Sequence, residues 1–159
     1  MKKPRKKYTP KPIRVDTMHY VKSGLLKVAD VPVAGTKLSM QNHVSFDEIR
    51  EGRGDSDHVD VLIKMVNIAE ALAKLQLGRD WLPEIEQAQQ ALHDLGQRGV
   101  SGKGFIFKGE EISIVQTILE LHDEQLRNCP VKKMEEAIDM VENEEKHGRM
   151  RRITRLEYA

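Results

Sequence analysis

From Ser45 onward, apolar residues recur at three- and four-residue intervals, the spacing that lines up one face of a helix. The longest such stripe is Val59, Leu62, Ile63, Val66, Ala69, Leu72 and Ala73. It predicts a long helix capped by Asp55, Ser56 or Asp57, running to Leu77 and stopped by Gly78. A second stripe, Leu82, Ile85, Ala88, Leu92 and Leu95, predicts a helix from near Asp80 with Pro83 in its first turn, ending before Gly96. Ile112, Val115, Ile118, Leu119, His122 and Leu126 share the inner side of a third, opened by Glu110 or Glu111. After Pro130, Met134, Ala137, Ile138 and Val141 mark a fourth over Val131 to His147. A shorter helix is expected from Ser45 to about Gly52, because Ser45-Phe-Asp-Glu48 matches a capping box.

Upstream the pattern fades. Residues 15–44 contain Gly24, Pro32 and Gly35 and read as an irregular wrap. In it Val31, Val33 and Leu38 could form short extended pieces, and Leu25, Leu26 and Met40 need apolar cover from the body. Residues 1–14 carry three prolines and no apolar period, so they read as an extended basic arm. Gly96 to Gly104 reads as a glycine-rich loop, followed by Phe105-Ile-Phe107 as a core plug. The expected architecture is therefore all-α: a compact bundle of about four main helices plus a short one over 45–147, with an irregular basic N-terminal arm and a basic tail at 148–159. Apolar residues on more than one side of the long helix (Leu62/Ile63, Leu72/Leu75/Leu77) leave room for a homo-oligomer.

Composition narrows the class. With 159 residues, 39% of them hydrophobic, the chain is long enough to bury one core. No apolar run is long enough to cross a membrane, and the basic start lacks the hydrophobic stretch of a secretory signal. The single cysteine, Cys129, cannot form an internal disulfide and fits a reducing cytoplasm. The net charge of +1 hides a strong segregation. Residues 1–14 carry seven cations and no acid, 146–159 carry five cations against Glu157, and the stretch between has 14 cations against 24 acids, a net −10.

Catalytic and cofactor patterns are incomplete. Gly102-Lys103 lacks the upstream glycine (Gln97) and the following hydroxyl (Gly104) of a P-loop. The histidines His19, His43, His58, His93, His122 and His147 form no zinc-ligand spacing, and His122-Asp123, adjacent on a helix, point apart rather than forming a dyad. Asp55/Asp57/Asp60, Glu110/Glu111 and the acids from Glu135 to Glu145 read first as solvated faces and second as a docking surface for a basic partner. Arg53-Gly54-Asp55 is an integrin-type tripeptide only in spelling. No catalytic residue, metal or cofactor is expected.

The charged ends carry the functional expectation. Lys2, Lys3, Arg5, Lys6, Lys7, Lys11 and Arg14 can neutralise phosphates, with Tyr8 available to stack on a base. Arg149, Arg151, Arg152 and Arg155 repeat the cationic character at the other end. The same ends could instead meet a protein or the chain's own acidic body, on which Glu135, Glu136 and Glu142 are the candidate partner face. The opening K-K-P-R-K-K-Y-T-P-K-P-I-R resembles that of small accessory proteins of temperate phages and prophages of proteobacteria, which often begin K-x-Y-x-P-K-P. The body is similar too, in L-A-K-L-Q-L-G ending at Gly78, Ala88-Gln-Gln-Ala-Leu92 and Leu121-His-Asp-Glu-Gln-Leu126. The resemblance implies a non-enzymatic binding protein in the cytoplasm of a bacterial host. It would contact nucleic acid, a nucleoprotein or a phage or host protein, or act as an inhibitor that occludes a host defence or regulatory factor. It supplies no catalytic residues.

Overall fold

A computed structural model describes residues 26–31 and 34–147, and the chain it shows is all-α. Five helices follow in order: α1 (Ala34–Arg50), α2 (Ser56–Lys74), α3 (Leu82–Arg98), α4 (Gly109–Asn128) and α5 (Val131–Lys146). Single 3-10 turns, Val28–Asp30 and Arg79–Trp81, precede α1 and α3. The long apolar stripe makes α2 the central element: it packs against α1, α3, α4 and α5.

The first helix differs from expectation. Ser45 is not an N-cap but a buried mid-helix residue, and the helix begins at Ala34, so residues 34–44 are not an irregular wrap. The apolar period is weak there because this half of α1 leaves Leu38, Met40 and Val44 exposed, while Phe46 and Ile49 enter the core. Gly35 permits the start: a Cβ there would lie 2.9 Å from the Val28 carbonyl oxygen.

The cap of α2 is as expected. Asp55 accepts from the His58 backbone N–H at 3.1 Å, and the Asp55 N–H donates to His58 Nδ1 at 3.2 Å, a capping box closed by histidine. Its end is not where glycine would put it. Gln76, with φ of 75°, takes the left-handed position. The Leu77 N–H bonds Leu72 O at 2.9 Å and the Gln76 N–H bonds Ala73 O at 3.1 Å, the two bonds of a Schellman motif. Gly96 also fails to stop α3. It is buried inside a helix that runs on to Arg98 and then into a wide π-type turn, Gly99–Lys103. A Cβ on Gly99 would meet the Phe105 ring at 2.1 Å, so that residue has to be glycine for the loop to fold back.

Two apolar clusters fill the bundle. One joins Phe46 and Ile49 of α1 to α2, α3, α4 and Phe107, whose ring lies 5.4 Å from that of Phe46. Phe107 is thus a core plug, whereas Ile106 is half exposed. The other lies between the C-terminal half of α2, Leu126, Cys129, Val28 and α5. Here Leu72 is buried and Leu75 and Leu77 pack alongside, so α5 covers the second apolar side of α2. Within α5, Met134 and Ala137 face inward, but Ile138 is exposed.

Candidate interaction surfaces

The cationic residues Lys2, Lys3, Arg5, Lys6, Lys7, Lys11, Arg14, Arg149, Arg151, Arg152 and Arg155, with Tyr8, lie outside the described residues. The acidic candidates are described. With Met134 and Ala137 turned to the core, the helical period sends Glu135, Glu136, Asp139 and Glu142 to the opposite, exposed face of α5. A groove of about 570 Å³ runs between this helix and the end of α2. Its walls include Leu75, Glu136, Asp139, Met140 and Glu142. Lys133 fixes the geometry by donating from Nζ to Leu75 O at 2.9 Å.

The carbonyls at the end of α2 find further donors on α4. Gln125 Nε2 donates to Ala69 O at 3.1 Å and to Leu77 O at 2.8 Å. With its amide nitrogen so committed, Gln125 Oε1 accepts from His122 Nδ1–H at 3.0 Å, which fixes the imidazole tautomer. Burial holds His122 below the ordinary imidazole value, against the Gln125 hydrogen bond and the Asp123 charge. His122 is therefore a neutral core residue.

Asp123 faces elsewhere, so the two neighbours form no dyad. It meets α1, where Ser39 Oγ donates at 2.8 Å and His43 Nε2 lies at 2.6 Å. Hydrophobic periodicity does not reveal this three-residue cluster, because Ser39 and His43, four apart on one helical face, lie in the half of α1 whose apolar period is weak. It borders a cleft of about 380 Å³ with Thr36, Met40 and Arg127. Serine and histidine both bond the carboxylate rather than each other, so the hydroxyl has no base and the cluster reads as a tie between α1 and α4.

Two further acids are structural. Asp55 caps α2, and Glu111, expected on a solvated face, is buried against Arg98. Arg53 spends its guanidinium on Glu48 and Glu51. Burial pushes the Cys129 thiol up to about 11, the opposite of an activated nucleophile. Among the described residues, no group of three or more His, Cys, Asp or Glu side chains could hold a metal ion, and no helix is long and apolar enough to cross a membrane.

Comparison with protein families, curated proteins and solved structures finds no match to this chain.

Proposed function

We propose that this chain is a non-catalytic binding protein of the phage accessory type, working in the cytoplasm of a bacterial host. Its basic ends contact nucleic acid or a nucleoprotein, and the acidic face of α5 contacts protein. The supporting observation is the separation of charge: acids line the exposed face of a helix anchored by Met134 and Ala137, while residues 1–14 carry seven cations without one acid. Closely spaced cations displace condensed counterions from a polyanion, which makes such binding strongly salt-dependent.

The test is anisotropy of a labelled DNA duplex and a labelled single strand, titrated with the full chain over a series of salt concentrations. Neutralising Lys2, Lys3, Lys6, Lys7 and Lys11 should flatten the salt dependence and weaken binding. Equal binding by the neutralised chain, or none by the native chain on either probe or on RNA, overturns the nucleic-acid reading.

A second reading rests on the acidic row itself: occlusion of a host defence or regulatory protein by α5. It requires that Glu135→Lys, Glu136→Lys and Glu142→Lys together abolish a protein complex that survives removal of residues 1–14. A complex unchanged by the reversals rules it out.

A further inference from the structure

The groove beside α5 has a specific occupant within reach. Leu75 and Met140 give it an apolar component, and Glu136, Asp139 and Glu142 set three carboxylates against the ammonium of Lys146 in the lining and that of Lys133, which is bonded to Leu75 O at its edge. The chain joins the described body at the N-terminal end of α5, the helix that forms one wall of the groove. The Val28 N–H bonds Cys129 O and the Val131 N–H bonds Leu26 O, both at 2.8 Å, forming an antiparallel bridge between Lys27 and Pro130. Traced backwards, the chain from Val28 to Leu26 runs beside Cys129 to Val131, toward the first turn of α5.

We propose that the basic segment 1–14 docks in this groove, so that the chain's own cations cover the acidic face until a partner displaces them. Reach is sufficient: fully extended, the stretch from Arg14 to Leu26 spans about 40 Å, whereas the 16 residues of α5 cover about 24 Å. The charges are complementary, since the segment has seven cations and no acid. A short tether also holds the segment at an effective concentration on the order of millimolar, so a contact too weak to join two molecules is occupied within one. The cleft beside Ser39 is a poorer receptor for cations. Its Asp123 carboxylate already accepts from Ser39 and pairs with His43, and Arg127 adds a positive charge to its lining.

Docking makes the two binding surfaces mutually exclusive with their own contact. A polyanion that takes the basic segment frees the acidic face of α5, and a basic protein that takes α5 frees the segment. The contact is intramolecular and stands whether or not nucleic acid is the partner.

The experiment places a nitroxide on Thr9→Cys in the full chain, a position that removes no cation, and reads amide signals by NMR. Cys129 is fully buried, so labelling under native conditions favours the introduced thiol. The expected result is signal loss at Leu75 and from Glu136 to Asn143, and none at Ser101–Lys103 in the turn that packs on α3. The loss should vanish at high salt and in the triple variant Glu136→Lys/Asp139→Lys/Glu142→Lys, whose three side chains are exposed. Four results would overturn the proposal. They are no selective loss, a pattern unchanged by the triple variant, loss only between labelled and unlabelled copies in a mixture, or loss that appears only after Arg149, Arg151, Arg152 and Arg155 are neutralised. The third result would assign the groove to a second copy, and the last to the C-terminal segment.

Discussion

Arg98, in the last turn of α3, and Glu111, in the first turn of α4, form a two-pronged ion pair with Nη1–Oε1 at 2.8 Å and Nη2–Oε2 at 2.5 Å. The pair closes the loop between the two helices. Arg98 also donates to Ile106 O at 3.1 Å, and Glu111 accepts from the Lys108 N–H at 2.8 Å, so one carboxylate organises both ends of the segment. Both side chains are largely buried, which makes leaving one alone costly. Glu111→Ala should therefore lower unfolding free energy by about 2–3 kcal/mol. Urea denaturation checks this, and a change indistinguishable from that of an exposed-site control would show that the loop is held by Phe105 and Phe107 alone.

Gln76 adopts a left-handed backbone that favours glycine. Gln76→Gly should raise stability by about 0.5–1 kcal/mol, the left-handed strain relieved less the added chain entropy of glycine. Thermal and urea melts would show the gain. A loss would mean that the Gln76 side chain makes a compensating contact.

His122 ties stability to pH. Its folded-state proton affinity lies below the ordinary imidazole value of 6.5, so between the two values the unfolded chain binds more protons. Stability is then complete above 6.5 and declines as pH falls below it toward the folded value. His122→Gln, compared with native protein in urea melts from neutral pH downward, should show a shallower decline over this window. An identical slope would assign the acid sensitivity to other groups.

Cys129 is sealed by the second apolar cluster, and its thiol is pushed up to about 11. Native protein should react with a thiol reagent at neutral pH only through opening of that cluster, and unfolded protein rapidly. Labelling followed by mass spectrometry, with and without denaturant, distinguishes the cases. Fast native labelling would mean that α5 does not stay docked on α2.

The early start of α1 is open to hydrogen exchange. Amides from Leu38 to Val44 should be protected alongside those from Ser45 to Arg50, because they bond within one helix. Rapid exchange confined to the first group would restore Ser45 as the helix start.

What the sequence determined was whatever depends on neighbours along the chain. The stripe from Val59 to Ala73 required a buried helix, the run Asp55-Ser56-Asp57 an N-cap at one of its three residues, and Pro130 a fresh helical start, since each acts through local spacing or a local backbone restriction. The charge segregation was equally legible, because it is a property of order alone. Tertiary structure decided the rest. Helix α1 starts at Ala34 because Gly35 can approach Val28 and because Asp123, far away in sequence, pairs with Ser39 and His43. Gly96 looks like a stop and Glu111 like a solvated acid in sequence, because neither their packing nor Arg98 is a local signal. Helix α2 ends at Lys74, and the carbonyls just past its end, Leu77 O and Leu75 O, are met by Gln125 and Lys133 from two other helices. The groove beside α5 exists only where the ends of two helices meet, and a one-dimensional pattern holds the distances between elements only when short connections fix them.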